Sequence, residues 1–403
     1  MKKKIIVSTI IIIILAITSA YFYTTLSPHN VNNYYAENTS NNTENFTSNI
    51  INDFDDESLM TNTDLFASYY DKAQEILEKM TLEEKVGQMF LARFPSSGVI
   101  NEITNYNPAG YILFGKDFKG ETTDSIKQKL QNCQDSSKIP LAFGVDEEGG
   151  TVVRVSAYKA FRSSPFKSPS DTFNEGGMKK IIADSHEKSS LLKSLGINMN
   201  LSPVVDVPES SSDFIYSRSF STDVNEVKEY TKEIINSMKE DNITSVMKHF
   251  PGYGNNVDTH TGIAIDNRDY SNFENRDFIP FEEGIKNKAP AILVSHNVVK
   301  CMDSTKPASL SKNVHDILRN KLNFSGIIIT DDLAMDAVKE YVDNGEAATQ
   351  AILAGNDLII SSDFVNQEKE VLNSVKNGTI SENIINTAVK RVLAWKIAYG
   401  IIE

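Results

Sequence analysis

From residue 64 to residue 403 the chain alternates between two kinds of hydrophobic pattern. Short, nearly continuous apolar runs rich in β-branched residues read as strands buried on both faces. They fall at 86–94, 109–115, 140–146, 198–207, 244–250, 289–297, 325–332 and 356–362. Between them lie longer stretches whose apolar positions recur every three or four residues, as in an amphipathic helix. TLEEKVGQM, from Thr81, opens on a capping residue followed by two acids, and VNEVKEYTKEIINSMKED (224–241) carries a full apolar stripe. Strand–helix alternation implies a parallel sheet. Eight strands over about 340 residues predict an α/β fold, a (β/α)8 TIM-type barrel forming a single catalytic domain. An open doubly wound sheet is the alternative, but no GxGxxG follows the first strand, so nucleotide binding lacks its main signal.

The first 63 residues follow neither pattern. Lys2, Lys3 and Lys4 precede an apolar run from Ile5 to Tyr23, long enough for a bilayer core of roughly 30 Å. Residues 1–26 therefore predict an N-terminal membrane segment, a signal-anchor, with a cleaved signal peptide as the competing reading. Both place the rest of the chain outside the cytoplasm, on the extracellular face of the membrane or secreted. Residues 27–63 are crowded with Asn, Ser and Thr and read as a flexible tether. The catalytic domain is then 64–403.

Composition narrows the function. A formal charge of -14 and a pI near 5.0 argue against nucleic acid as the main partner. Cys133 and Cys301 have no CxxC spacing, which argues against a thiolate metal site, and either one disulfide or two free thiols is open.

In a barrel, chemistry sits at the carboxyl ends of the strands. Those ends carry Asp146, Asp206, Lys248 with His249, His296, and Asp331 with Asp332. Singly, each could be a helix cap, Asp332 above all; together they predict a ligand pocket. Arg154 and Arg218 stand in loops able to reach the same mouth and offer planar donor forks. In KHFPGYGNNVDTHTG (248–262), three glycines and a proline exclude a helix, and Asp258 stands two residues from His260, so the carboxylate is placed to orient the imidazole for acid–base work. Three reactions fit. Metal-dependent hydrolysis lacks a paired-histidine ligand set on the first strand. A Schiff-base lyase would use Lys248 but leave Asp258 and His260 idle. Glycosidic cleavage, with Asp331 attacking and His260 protonating the leaving oxygen, uses all of them.

In this order the motifs KVGQMF, AGYILF, VDEEGGTVVR, NLSPVVDV, SRSF, KHFPG, DTH, PASLS and GIIITDDLAM make the chain resemble glycoside hydrolase family 3, in its β-N-acetylglucosaminidase branch, over about residues 64–400. The resemblance implies Asp331 as nucleophile, His260 as acid/base partnered by Asp258, and sugar contacts from Asp146, Arg154, Arg218, Lys248 and His249. It implies a retaining β-hexosaminidase that takes terminal GlcNAc from a glycan or muropeptide, as a monomer, with no cofactor and no metal. The alternatives are a glycan-binding cell-wall protein without turnover, another specificity such as β-glucosidase, and phosphate in place of water as acceptor. The family's usual KHFPGHGD and VDQEGG become KHFPGYGN and VDEEGG here. Tyr253 is thus expected to alter the loop or the leaving-sugar subsite, and Glu147 to add negative charge beside the pocket.

Overall fold

The computed structural model describes residues 60, 61, 63–256, 264–335, 338, 341, 342 and 346–403. The expected membrane segment, nearly all of the tether, Asp258 and His260 lie outside these. Among the described residues no helix is long and apolar enough to cross a membrane.

Every expected strand is present. They are β1 (Phe90–Arg93), β2 (Gly110–Leu113), β3 (Ala142–Val145), β4 (Met199–Asn200), β5 (Thr244–Phe250), β7 (Ala291–Val294), β9 (Ile327–Thr330) and β10 (Ile359–Ser361), with β6 (Ile265–Asp266) and β8 (Val298–Val299) forming a separate pair. Among the described residues, the first eight form one parallel sheet in the order β10-β1-β2-β3-β4-β5-β7-β9. A parallel bridge between Ile329 and Leu358 joins its two edges, with Thr330 N–H donating to Leu358 O at 3.1 Å. The result is a nearly closed eight-stranded barrel of the TIM type. Leu91, Tyr111, Phe143, Val246, Ile292 and Ile328 are all fully buried, as a parallel barrel wrapped in helices requires.

The helices form where the sequence provides starts. Thr81 and Glu84 make a reciprocal capping box for Leu82–Gly87. Asp223 accepts from Asn225 N–H at 2.7 Å to cap Val224–Glu240, whose buried side includes Val227, Tyr230, Ile234, Ile235 and Met238. Two expectations shift. Residues 86 and 87 belong to a helix, not to the first strand. The run 198–207 is strand only at Met199–Asn200; Pro203 has no N–H for a ladder, and pairing resumes at Val204 opposite Lys248. Two-residue strands such as β6 and β8 are too short for any periodicity to announce.

Helix Glu382–Ala398 lies against the amino ends of the strands. Trp395 Nε1 donates to Thr244 Oγ1 at 3.0 Å, and Lys396 Nζ to Gln88 Oε1 at 2.7 Å and Pro140 O at 2.9 Å. Gln88 in turn donates to Asn107 O and Pro108 O. Burial alone lowers the Lys396 ammonium to about 7. Arg391 and Arg319 share Asp357, whose carboxylate also receives Ile328 N–H at 2.8 Å. This end holds the barrel shut; the other end is left for chemistry. Cys133 is buried and Cys301 exposed, and both thiols are free.

Candidate active site

At the carboxyl end of the barrel the chain leaves β3 as Asp146-Glu147-Glu148. Lys248, 2% exposed near the end of β5, reaches across β4 to donate to Asp146 Oδ1 at 2.7 Å and lies 2.6 Å from Glu148 Oε1. Burial opposes the ammonium, but Asp146 and Glu148 outweigh it, and the Lys248 pKa is raised. A lysine held so firmly as a cation grips oxygen; it does not attack carbonyls, so the Schiff-base reading loses its nucleophile.

Arg218 completes the arrangement. Its Nε and Nη2 donate to Glu148 at 3.0 and 2.8 Å. Burial would raise the Glu148 carboxyl, yet Lys248 and Arg218 hold it far below the usual carboxylate range. Arg218 Nη2 also lies 3.2 Å from His249 Nε2. A guanidinium has no acceptor, so that nitrogen must carry the lone pair. His249 Nδ1–H then donates to Asp206 Oδ2 at 2.7 Å. The tautomer is fixed by its two neighbours. Asp206 also receives the backbone N–H of His249 at 3.1 Å and of Tyr253 at 2.8 Å.

Arg154 is the open member. It stands 3.8 Å from Asp146 Oδ2, and its buried Nε has no hydrogen-bond partner among the described residues. A desolvated donor without an acceptor is costly unless a ligand supplies one.

On the other side of the mouth, Asp331 follows the fully buried β9. Its backbone N–H donates to Val294 O at 3.1 Å and its Oδ1 accepts Asp332 N–H at 2.8 Å. The side chain stays partly exposed. His296 braces this turn: Nε2–H donates to Asp332 O at 3.1 Å, leaving Nδ1 to accept from Ser309 Oγ at 2.7 Å. Asp332 closes a local turn, accepting Ala334 N–H and Ser362 N–H at 3.0 Å each.

The structure thus brings Asp146, Arg154, Arg218, Lys248 and His249 together, and sets Asp331 on the same end of the barrel. One expectation is corrected. Glu147 adds no charge to the pocket: it is fully buried and turned inward, accepting Arg154 N–H at 2.9 Å, Val155 N–H at 2.7 Å and the Ser156 hydroxyl. Tyr253 is 1% exposed and packs edge-on against His249 at 5.0 Å, so it backs a pocket residue from behind. Sequence reasoning missed Glu148, the carboxylate that joins two cations. Its signal was present in the buried-looking EEGG run beside a strand end, but nothing in the order of residues tells which of two adjacent glutamates faces inward.

Residues 81–395 match the model of the glycosyl hydrolase family 3 N terminal domain. The chain belongs to glycosyl hydrolase family 3. It is 30% identical over 281 residues to a beta-hexosaminidase of Nitrosomonas eutropha, covering 66% of this chain and 77% of that one. A beta-hexosaminidase of Haemophilus influenzae is 30% identical over 285 residues, covering 68% and 77%. The solved structure of a glycoside hydrolase family 3 beta-N-acetylglucosaminidase from Paenibacillus sp. superposes with a TM-score of 0.74 at 28% identity, covering 80% of this chain and 63% of that one. This chain thus spans a little under two thirds of that protein. As a family 3 member it is an enzyme, a glycoside hydrolase, and the buried charge network lies in the matched region.

Proposed function

We propose that the enzyme is a retaining β-N-acetylglucosaminidase, releasing terminal non-reducing β-linked GlcNAc from peptidoglycan fragments or related glycans. The observation that carries this is the polar network at the barrel mouth: a cation locked between carboxylates, an arginine with an unfilled buried donor, and a partly exposed Asp331 across from them. Such a set grips vicinal hydroxyls and sets one carboxylate at the mouth to attack. The names of the similar proteins support GlcNAc as the sugar.

In the proposed cycle Asp331 forms a bond to the anomeric carbon as the bond to the leaving oxygen breaks, and His260 gives that oxygen its proton. His260 then takes a proton from water, which displaces Asp331 and restores it. Asp258 orients the imidazole. A histidine in this role passes between neutral and cationic forms and brings no second anion beside Asp331. The network on Asp146, Lys248, Arg218 and His249 contributes binding, not proton transfer.

The test is turnover of chromogenic β-GlcNAc and β-glucoside substrates by the full-length protein, beside Asp331→Asn and His260→Ala. Release from the GlcNAc substrate alone, abolished in Asp331→Asn, supports the reading. GlcNAc binding without turnover replaces it with a glycan-binding role. Replacing water with phosphate and recovering a sugar phosphate would mark a phosphorylase. The N-terminal run further supports a location on the outer face of the membrane; protease accessibility of the domain on intact cells tests that, and protection refutes it.

A further inference from the structure

Arg268 lies outside the network just described, yet it is 7% exposed at its side chain and uses its whole fork. Nε donates to Asp266 Oδ1 and Oδ2 at 3.1 and 3.0 Å, and Nη2 to Asp266 Oδ2 at 2.8 Å. Nη1 donates to Asp277 Oδ2 at 3.0 Å, and Nη2 also reaches Gly252 O at 3.3 Å. The guanidinium lies 4.4 Å over the ring of Phe273. Asn256 Nδ2 adds a direct bond to Asp266 Oδ2 at 2.6 Å and another to Tyr253 O at 2.9 Å. The two glycines of the PGYG turn exist for this cluster. A Cβ on Gly252 would stand 2.3 Å from Asp277 Oδ1, and one on Gly254, at φ +51, 2.3 Å from Arg268 Cζ.

Gly252–Asn256 and Ala264–Arg268 are the two flanks of the segment 257–263, which carries Asp258 and His260. The entry flank is tied to Asp206 through Tyr253 N–H. The exit flank is tied to the strand following β7: Val298 N–H donates to Ala264 O at 2.8 Å and Lys300 N–H to Asp266 O at 3.0 Å. Among the described residues, Arg268 and Asn256 join one flank to the other. We infer that Arg268, with Asn256, is a positioning residue for proton transfer: by fixing the separation of these flanks it sets where His260 meets the leaving oxygen. This rests on the proposed role of His260. The guanidinium is suited to the task because two planar carboxylates and a carbonyl each take a different edge of it, which an ammonium cannot reproduce.

The experiment compares Arg268→Lys, Asn256→Ala and His260→Ala in the full-length protein on two β-GlcNAc glycosides. One has a simple alkyl leaving group, which needs protonation; the other has a 2,4-dinitrophenyl group, which does not. The inhibition constant of free GlcNAc reports the sugar grip. Misplacing an acid by about 1 Å costs on the order of 100-fold. The expected result is a fall of about 10–100-fold in kcat/KM on the alkyl glycoside, a fall of under about 3-fold on the dinitrophenyl glycoside, and an unchanged GlcNAc constant. Equal losses on both substrates, or none on either, overturn the inference, because a merely structural defect does not distinguish leaving groups. If Arg268→Lys does not fold, Asn256→Ala decides alone, since it removes an amide and no charge. If His260→Ala is selective and the flank variants are not, only the positioning role falls. If His260→Ala is itself unselective, the acid assignment falls and takes this inference with it.

Discussion

Glu148→Gln tests the charge network with an almost isosteric change. The carboxylate receives Arg218 at 2.8 and 3.0 Å and Lys248 at 2.6 Å, all away from solvent. Each charge-assisted bond contributes about 1.5–3 kcal/mol net. Glutamine keeps one acceptor but turns an NH2 toward a cation. Lys248 is then left with Asp146, and Arg218 with only the more distant fields of Asp146 and Asp206. Stranding buried charge costs about 3–5 kcal/mol. Urea unfolding at pH 7 should show that loss with the slope unchanged. The pH course gives an independent check. Because the folded-state pKa of Glu148 is depressed, its contribution is complete above the unfolded glutamate value of about 4.3 and is lost as pH falls below it. The gap between wild type and variant should therefore narrow from pH 6 to pH 3. A loss under about 1 kcal/mol, or a gap that ignores pH, would show that the cations are satisfied without Glu148 and refute the reasoning.

Lys396, lowered to about 7 by burial, binds fewer protons folded than unfolded between there and about 10.4. Wild-type stability should rise by up to about 2 kcal/mol from pH 7 to pH 9, and Lys396→Met should abolish that rise; parallel curves in chemical unfolding count against it. Asn297 is fully buried and its amide atoms have no partner among the described residues, so Asn297→Leu should raise the unfolding free energy by about 1–3 kcal/mol. A loss of turnover without that gain would instead place the amide in the site. Glu147→Ala strands the N–H groups of Arg154 and Val155 and should cost about 2–4 kcal/mol by thermal unfolding. Glu147→Gln, which can still accept from Val155 and donate to Ser156, should cost less than about 1 kcal/mol; equal costs would show that charge, not hydrogen bonding, matters there.

The barrel was legible because its strands are buried on both faces, and unbroken apolar runs such as GIIIT announce that without reference to partners. Strand ends located Asp146, Lys248 and Asp331 for the same reason. What the order of residues did not reveal was direction. Glu147 and Glu148 are chemically alike and adjacent, and only the turn after β3 sends one inward to backbone N–H groups and the other onto Lys248. Tyr253 reads as a substituted pocket residue, but its burial against His249 depends on a loop from elsewhere in the chain. Arg268 carried no signal, since its partners Asp266 and Asp277 flank it with ordinary surface spacing and Gly252 belongs to another motif.

Because Glu148 is shared by Lys248 and Arg218, and Arg218 by Glu148 and His249, two loops and the end of β5 answer to one carboxylate. Their substitutions cannot be scored one at a time: once any member is changed, the cost of changing the next is no longer what it was. A lineage, or a laboratory, seeking a different sugar from this pocket would meet a valley at every single step. New specificity should instead arise through paired exchanges across β3 and β5, or at Arg154, whose unfilled Nε leaves it the freest to vary.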